Sequence, residues 1–248
     1  CSHRKHSSTV GVTNFLPSFM GTHLEKEIKA LEGVLNNPNK PVAAIIGGSK
    51  VSTKIDVINF LLKKMDIIII GGAMANTFVS AKGLDVGKSL FEKECIDLAK
   101  ELIEKSQNNN CNLILPTDFI VSKNLKKNAE YTTTNFDSIP HNMMALDIGP
   151  KSIELINKNI NNCKTILWNG PLGAFETYPF DKGTNKVASY VSSLTKQKKI
   201  LSVAGGGDTV SALNNAKVLN DFSYVSTAGG AFLEWLEGKV LPGIEPIS

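Results

Sequence analysis

The sequence is poor in several residue types whose abundance would mark other classes of protein. It has a single arginine, Arg4, and its 27 basic and 23 acidic residues leave a net charge of +4. So mild a balance gives no strong case for a nucleic acid or an anionic membrane as partner. Aromatic residues make up 7% of the chain and form no platform with basic residues on which bases could stack. We therefore expect neither a nucleic-acid-binding nor a membrane-binding protein.

Cysteines are also few, and none of them forms a C-x-x-C pair. The four are Cys1, Cys95, Cys111 and Cys163. This spacing argues against a disulfide framework and against a zinc site. The apolar run "IIII" is far too short to span a membrane, and we expect no signal peptide. These absences predict a protein of the reducing cytosol, that is, a cytoplasmic location.

Length and composition indicate a globular protein. The chain has 248 residues, of which 42% are hydrophobic, so it can bury a sizeable core in one large α/β domain or two small ones. It begins without an initiator methionine on "CSHRKHSSTVGV". We expect from this opening that the sequence is a fragment or a processed product.

One sequence unit recurs along the chain: an apolar run, a glycine-rich turn and then a helical pattern. In the first copy, the apolar side chains after the turn share one face of a helix. The five copies read "VAAIIGGSKVSTKIDVINFLLKK", "DIIIIGGAMANTFVSAK", "KTILWNGPLGAFE", "ILSVAGGGDTVSAL" and "FSYVSTAGGAFLEWLEG". A sixth apolar run, "CNLILPTDFIV", contains Pro116 and has no glycine pair.

Continuous apolar runs that alternate with helical patterns predict parallel strands buried on both faces. The fold class expected is therefore three-layer α/β/α, with a mainly parallel, Rossmann-like sheet of about six strands. Right-handed crossovers place every strand-to-helix turn at the same edge of such a sheet. The five glycine-rich turns should converge there.

Other segments are predicted as helices or as solvated loops. Helical patterns cover residues 24–35 and 91–105, whereas "SQNNNCN" and "NKNINNCK" are polar connections. The segment "GLDVGKS" resembles a Walker A loop, but it has one residue too few between its glycines and follows a helix pattern. We interpret it as a surface loop. The sequence has no G-x-G-x-x-G motif, which argues against dinucleotide binding.

Glycine-rich turns that lead into helices are typical of phosphate binding. They allow close backbone approach and present free N–H groups to an anion. In "AGGGDT", Asp208 would repel a phosphate unless a cation such as Mg²⁺ lay between them, and Thr209 adds a hydroxyl. The alternative, that Asp208 caps the following helix, is about equally strong for this motif alone.

The segment "GGSKVSTK" adds two lysines, Lys50 and Lys54, four residues apart. This spacing predicts that both lie on one face of the first helical turns. A solvated helix end is the ordinary explanation for a lysine pair. Because cations are disfavoured at a helix N-terminus, however, the pair indicates an anion at the same edge.

Six motifs occur in a fixed order that resembles the phosphoglycerate kinase family. They are "GGSKVSTK", "GGAMANTF", "LDIGPKS", "WNGPLGAFE", "AGGGDT" and "STAGGAFLEWLEGKVLPG". Together they are similar to the C-terminal, nucleotide-binding lobe of that family. The opening "HRKHSS" resembles the segment that closes the N-terminal, substrate-binding lobe. The resemblance thus implies a remnant of the first lobe over residues 1–23 and, over 24–248, a nucleotide-binding domain that includes the interlobe helix.

The resemblance also implies an activity and its ligands. Members of the family catalyse reversible phosphoryl transfer between 1,3-bisphosphoglycerate and ADP, which gives 3-phosphoglycerate and ATP in glycolysis. The cofactor implied is Mg²⁺, with ADP or ATP as co-substrate, and the full-length enzyme is expected to be a cytoplasmic monomer that closes about a hinge. Phosphoryl transfer needs in-line positioning and cations on the developing charge, which fits a site of lysines, amides and a metal.

Site residues follow from the resemblance position by position. The implied catalytic residues are Lys50, Gly207 and Gly230, with Gly229 also offering a backbone N–H group to the transferring phosphoryl group. Arg4 lies on the 3-phosphoglycerate side, and Asp208 is the implied metal ligand. The implied nucleotide-binding residues are Gly47, Gly48, Lys54, Gly71, Gly72, Ala145, Leu146, Asn169, Pro171, Glu176, Gly206, Gly207, Asp208 and Thr209.

Two departures from the family pattern bear on these expectations. Of the family's substrate-binding arginines, only Arg4 is present, and Ala228 stands where many relatives have a further glycine. We therefore expect the chain to bind nucleotide but to have little activity without the first lobe. The alternatives are a nucleotide-binding module without catalysis and a nicotinamide-dependent oxidoreductase.

Overall fold

The computed structural model describes residues 2–247, which fold into eight α-helices and nine β-strands. No helix in this range is both long and apolar enough to cross a bilayer. In chain order the elements are α1 (Thr22–Leu35), β1 (Val42–Ile46), α2 (Ile55–Leu61), β2 (Ile67–Ile70), α3 (Met74–Ala81), α4 (Ile96–Asn108), β3 (Asn112–Ile114), β4 (Asp118–Ser122), β5 (Thr132–Asn135), β6 (Met144–Ile148), α5 (Pro150–Ile160), β7 (Thr165–Asn169), α6 (Lys182–Lys196), β8 (Leu201–Gly205), α7 (Gly207–Asn215), β9 (Tyr224–Ser226) and α8 (Gly230–Leu236).

The main sheet has six strands in the order β3-β2-β1-β7-β8-β9, and neighbouring strands are parallel. At the carboxyl end of β1, Ile46 pairs with Ile70 on one side and with Asn169 on the other. The predicted fold class is therefore confirmed. All five glycine-rich turns follow strands of this sheet, so they meet at its carboxyl edge. The order of strands changes direction between β1 and β7, since β2 and β3 follow on one side and β8 and β9 on the other. Their junction is therefore the topological switch point of the sheet.

Two hydrophobic clusters cover the two faces of the sheet. Strand β1 is fully buried, and its alternate residues belong to different clusters. Ala44 and Ile46 pack with α1 to α4 and α8, whereas Ala43 and Ile45 pack with α5 to α7. This alternation follows from the two-residue period of a strand and accounts for the continuous apolar runs.

A second sheet, antiparallel and three-stranded, was not predicted from the sequence. Its order is β5-β4-β6. The run "CNLILPTDFIV" splits near Pro116, which can donate no ladder hydrogen bond, into the edge strand β3 and into β4 of this sheet. The consequence for the site is that β6 carries Ala145 and Leu146 toward the carboxyl edge of the main sheet.

Three element boundaries differ from the sequence prediction. Helix α4 begins at Ile96 rather than near residue 91. Glu92 has an extended backbone conformation, and its N–H donates to the Thr77 hydroxyl at 3.1 Å, so the chain is not helical there. The predicted loops "SQNNNCN" and "NKNINNCK" are half helical, since α4 continues to Asn108 and α5 to Ile160. Ile160 is fully buried, so packing extends that helix into the polar segment. The segment "GLDVGKS" lies in a loop after α3, as predicted.

Three cysteines, Cys95, Cys111 and Cys163, are buried free thiols. Burial and the nearby charge of Asp66 raise the pKa of both Cys111 and Cys163 to about 11. They are therefore thiols at neutral pH. Cys1 lies outside the described residues.

A half-buried tyrosine and a buried carboxylate join β9 to α1. The Tyr224 hydroxyl donates to Glu27 Oε2 at 2.5 Å, and Glu27 is 5% exposed. Burial, followed by the hydrogen bond to Glu27, raises the pKa of Tyr224 well above its ordinary value. The other carboxylate oxygen, Oε1, has no hydrogen-bond partner within residues 2–247.

We expect Tyr224→Phe to lower the free energy of unfolding by about 1–3 kcal/mol, because it leaves the Glu27 carboxylate without its hydrogen bond. Urea unfolding of this variant measures the loss. Tyr190→Phe is the matched control, since the Tyr190 hydroxyl makes an exposed hydrogen bond to Asn161. Equal losses in both variants would contradict the special role given to Glu27.

Candidate functional site

The turns after β1, β2 and β7 pack so closely that side chains would not fit between them. An ideal Cβ at Gly47 would lie 2.0 Å from the Pro171 carbonyl oxygen, and one at Gly170 would lie 2.2 Å from the Gly47 oxygen. Gly72, which has a φ of +68°, would place its Cβ 2.4 Å from the Gly48 oxygen. Several of the predicted phosphate-binding glycines are thus required by contacts between the turns themselves.

Other glycines in these turns face open space. An ideal Cβ at Gly48, at Gly207 or at Gly229 would have no heavy atom of the described chain within 4 Å. Gly206 follows strand β8 with a φ of +99° and is the N-cap of α7, whose first residue is Gly207. Gly207 and Gly229, at the starts of α7 and α8, thus leave room for a ligand close to the backbone at the carboxyl edge of the sheet, whereas the Gly48 N–H already donates to the Pro171 oxygen at 3.1 Å.

Asn169, at the end of β7, connects three of the turns. Its Nδ2 donates to the Gly205 carbonyl oxygen at 2.7 Å, and its Oδ1 accepts a hydrogen bond from Lys54 Nζ. Next to it, the Gly170 N–H donates to the Thr209 hydroxyl at 2.7 Å. Asn169 and Thr209 are both buried, so these bonds fix the turns after β7 and β8 to each other.

The two lysines of "GGSKVSTK" occupy different environments, so the prediction that they share a helical face is wrong. Helix α2 begins only at Ile55, and residues 50–54 form a turn that precedes it. Lys50 is exposed, whereas Lys54 is half-buried at the N-cap position, beside Asn169. The physical reason is that Val51 inserts into the core and bends the chain away from a helical path.

Lys54 has an unusually acidic ammonium group. Burial lowers the pKa of Lys54 to about 8, although the nearby carboxylates of Asp208 and Glu237 act in the opposite direction. A bound anion would relieve this burial penalty, because an opposite charge favours the charged form of lysine. The geometry is therefore that of a cation held ready for an anionic ligand.

A cavity of about 300 Å³ opens beside these turns, at the switch point of the sheet. Seven predicted site residues line it: Gly48, Gly72, Ala145, Leu146, Pro171, Glu176 and Asp208. The residues that also line it but were not predicted as binding residues are Ser49, Ala73, Leu90, Leu125, Met144, Gly173, Ala174 and Phe175. The cavity is thus walled by apolar side chains and backbone, with carboxylates among its few polar groups.

Asp208 does not act as a helix cap. The N-cap of α7 is Gly206, and no side-chain capping hydrogen bond is present there in the described chain. Asp208 is exposed in the first turn and lines the cavity. The helix-cap alternative for Asp208 is therefore excluded, and its carboxylate is accessible to a ligand.

A buried carboxylate, Asp147, supports the wall of the cavity formed by β6. It accepts hydrogen bonds from the backbone N–H groups of Gly183 at 2.6 Å and Ile148 at 2.8 Å. Burial raises the pKa of Asp147 well above its usual value. The Ala174 N–H also donates to the Leu146 carbonyl oxygen at 2.8 Å. These contacts fix β6 against the turn after β7, where the two sides of the cavity meet.

The remaining predicted residues lie around the cavity rather than in its wall. Gly47 and Gly71 are buried behind it, and Lys50 is on the exposed loop before α2. Arg4 is exposed in the N-terminal segment, next to His3, whose ring lies against Gly230 at the start of α8. Gly229 and Gly230 thus lie close to the N-terminal segment.

Fold and site together define a class of protein: a three-layer α/β protein with a ligand cavity at the carboxyl edge of a parallel sheet, bordered by open glycine turns, a half-buried lysine and an accessible carboxylate.

Comparison with known proteins identifies the family. The model of one protein family, described as phosphoglycerate kinase, matches residues 1–239. The phosphoglycerate kinase of Brucella melitensis is 52% identical over 244 residues, and that of Rhizobium meliloti is 50% identical over 244 residues. Each alignment covers 98% of this chain, and 62% and 61% of the respective relative. The chain therefore belongs to the phosphoglycerate kinase family.

Solved structures agree with this assignment. The structure of phosphoglycerate kinase from Coxiella burnetii matches with a TM-score of 0.95 and 43% sequence identity. The match covers 99% of this chain and 62% of the Coxiella burnetii chain. That of phosphoglycerate kinase from Pyrococcus horikoshii has a TM-score of 0.83 and 28% identity, with 99% and 61% covered. The chain thus spans about three fifths of the length of these relatives.

Proposed function

We propose that this chain is the nucleotide-binding part of a phosphoglycerate kinase, which transfers a phosphoryl group reversibly between 1,3-bisphosphoglycerate and ADP. The observation that carries the proposal is the 300 Å³ cavity at the switch point, bordered by the open turn at Gly48 and by Asp208, with Lys54 close to Asp208. Apolar walls suit the adenosine, and the glycine turns with Lys54 suit the phosphates.

Each group has a role that its position supports. The apolar wall formed by Leu146 and Phe175 would hold the base, and Glu176 would bind the ribose. The N–H groups at the start of α7 would bind the phosphates, because a helix N-terminus favours anions. Lys54 would contact the nucleotide phosphates, and Lys50 would reach the transferring phosphoryl group. Fixed cations and amides of this kind stabilise the charge that develops in the transition state.

The residues fit a Mg²⁺ ion that arrives with the nucleotide. No group of three or more His, Cys, Asp or Glu residues in the described chain could hold a metal by itself. Mg²⁺ is commonly held by one or two carboxylates plus phosphate oxygens, and Asp208 is an accessible carboxylate at the cavity. When bound, the ion would offset the repulsion between Asp208 and the phosphates.

The substrate side lies outside this cavity. We propose that Arg4 and the start of α8 at Gly229 and Gly230 face the phosphoglycerate, with the part of the family fold that this chain does not span supplying further contacts. We expect the 248-residue chain alone to bind MgADP but to show little phosphoryl transfer. A coupled assay measures this turnover, and turnover at the rate of a complete family member would contradict the expectation.

We expect the Asp208→Ala variant to bind MgADP about 10- to 100-fold more weakly than the parent chain, because one charge-assisted contact through the metal is lost. Calorimetric titration of MgADP into both proteins measures the difference. Asp85→Ala is the control, because Asp85 is an exposed aspartate on the loop after α3.

Two results would count against the proposal. Absence of MgADP binding by the parent chain would contradict the nucleotide site itself. Binding that is unchanged in Asp208→Ala would contradict the role of this carboxylate at the metal. Titration with NAD⁺ tests the oxidoreductase alternative, and we expect no binding there.

A further inference from the structure

Glu92 connects two loops that the proposed mechanism treats separately. Its carboxylate accepts two hydrogen bonds from one residue, Ser52: the backbone N–H donates to Oε2 at 2.9 Å and the hydroxyl to Oε1 at 2.5 Å. Ser52 lies between Lys50 and Lys54 in the turn that precedes α2. Glu92 lies 40 positions further along the chain, before α4. The carboxylate thus holds the segment that carries both lysines.

The segment around Glu92 is itself fixed to α3. The Glu92 N–H donates to the hydroxyl of Thr77 at 3.1 Å, and Asn76 Nδ2 donates to the Leu90 carbonyl oxygen at 3.0 Å. Thr77 and Asn76 are both buried in α3, a helix whose apolar residues pack on the main sheet. A rigid path therefore leads from the sheet through α3 to Glu92 and on to Ser52.

The turn of residues 50–54, here called the lysine turn, has few other hydrogen bonds to distant residues. Apart from the Lys54 ammonium, which donates to Asn169, and the buried Val51 side chain, its contacts are local: Thr53 Oγ1 donates to the Lys50 oxygen at 3.0 Å and the Lys54 N–H to the Val51 oxygen at 2.8 Å. Among residues 50–53, the hydrogen bonds to a distant part of the described chain come from Ser52 and from the Val51 backbone, and they go to Glu92. Without Glu92, the backbone of residues 50–53 would keep mainly local hydrogen bonds.

Charge strengthens the same contact. Partial burial by itself would raise the pKa of the Glu92 carboxyl. Hydrogen bonds from Ser52 and from the Val51 backbone, and the charge of Lys50, act in the opposite direction. Their effect is larger, so the pKa of Glu92 lies below its ordinary value. Glu92 is therefore ionised at neutral pH, and it accepts charge-assisted hydrogen bonds, which are stronger than neutral ones.

We propose that Glu92 is a positioning residue that fixes the turn carrying Lys50 and Lys54, and thereby sets the affinity for the terminal phosphate of the nucleotide. The proposal rests on the proposed function for the role of the lysines. Glu92 does not line the cavity, so it acts through Ser52 and leaves the walls that hold the adenosine unchanged.

The test compares Glu92→Gln and Ser52→Ala with the control Glu94→Gln, which removes an exposed carboxylate two residues away. Amide hydrogen exchange of the ligand-free proteins is measured first. We expect amides 51–54 to exchange faster in Glu92→Gln by about 3- to 10-fold, because a neutral amide replaces the charged acceptor. Ser52→Ala, which keeps the backbone bond, should show a smaller increase, and Glu94→Gln and amides 145–148 should show none.

Titrations with ADP and with AMP then test the consequence for binding. We expect Glu92→Gln to weaken ADP binding about 3- to 10-fold while AMP binding stays unchanged, because AMP lacks the phosphate that the positioned lysines contact. A change in the ADP-to-AMP affinity ratio is a result that general destabilisation would not produce. The thermal midpoint is measured alongside, and we expect it to stay close to that of the parent.

Three outcomes would overturn the proposal in whole or in part. Unchanged exchange of amides 51–54 would show that Glu92 does not hold the turn. Equal losses of ADP and AMP affinity would show that it supports the whole site rather than the lysine turn. A parent chain that binds neither nucleotide would contradict the proposed function and the phosphate role, while the exchange rates would still decide whether Glu92 holds the turn.

Discussion

We expect Gly47→Ala to lose about 3 kcal/mol or more of its folding free energy, enough to unfold much of the protein at 37 °C. The new methyl carbon would lie 2.0 Å from the Pro171 oxygen and 2.7 Å from its carbonyl carbon. Both atoms belong to backbone, so no side-chain rotation relieves the overlap. The turn after β7 would have to move, and with it the bonds of Asn169 that join three turns. Urea unfolding followed by circular dichroism measures the loss.

The control for this prediction is Gly207→Ala, which changes the same residue type at the same edge of the sheet. An alanine Cβ there would have no heavy atom of residues 2–247 within 4 Å, and Gly207 begins α7 without a positive φ. Its stability should therefore stay the same or rise by up to about 1 kcal/mol, as Gly→Ala changes do at compatible positions. Its MgADP affinity should fall about tenfold or more, since the methyl group occupies the open face of the turn.

The pair separates two explanations of the glycine-rich turns. If both variants are stable and bind poorly, the glycines serve only the ligand. If both are unstable, packing between the turns accounts for all of them. We expect one result of each kind, because Gly47 faces backbone and Gly207 faces open space.

The sequence predicted the main sheet well because its strands are buried on both faces. A strand such as β1, with five buried residues in succession, leaves an unbroken apolar run, and the glycines after it mark the turn. Five repeats of that pattern were enough to predict parallel strands and one shared edge. The antiparallel sheet left no comparable signal, because β5 is largely exposed and β4 follows Pro116 within the same apolar run as β3.

The candidate site was predictable where its residues stand in the turns and hidden where they come from elsewhere. Gly48, Pro171 and Asp208 follow strands directly, so their convergence followed from the fold. Leu90 and Leu125 reach the cavity from irregular loops, and no local pattern marks an exposed leucine as part of a wall. The environments of Lys50 and Lys54 also depend on tertiary contacts, with Val51, Asn169 and Glu92, which their four-residue spacing does not reveal.

Lys54 should contribute a gain in the stability of the ligand-free chain as the pH rises between about pH 8 and pH 9.5. Its pKa is about 8 in the folded protein and 10.5 in the unfolded chain. In this window Lys54 binds more protons in the unfolded state than in the folded state, so its contribution to the free energy of unfolding increases with pH. Folded Lys54 is half protonated at pH 8, so the slope grows toward about 1.4 kcal/mol per pH unit and the gain from pH 8 to 9.5 is about 1.5 kcal/mol. The raised pKa values of Cys111 and Cys163 act in the opposite direction within this window, and that of Tyr224 does so above pH 10, so the contribution of Lys54 is measured by comparison with a variant that lacks it.

Urea unfolding of the parent and of Lys54→Met at pH 8.0, 8.5, 9.0 and 9.5 isolates this contribution, because other groups titrate alike in both proteins. The difference in stability between parent and variant should change by about 1.5 kcal/mol in favour of the parent as the pH rises from 8.0 to 9.5. A constant difference would show that Lys54 is not held in a desolvated environment.

Bound MgADP should restore the charge of Lys54, so calorimetry at pH 9 in two buffers of different ionisation enthalpy should detect proton uptake on binding. Proton uptake that persists in Lys54→Met would show that another group takes up the proton. Lys54 could then still be desolvated, but its proposed contact with the phosphates would be contradicted.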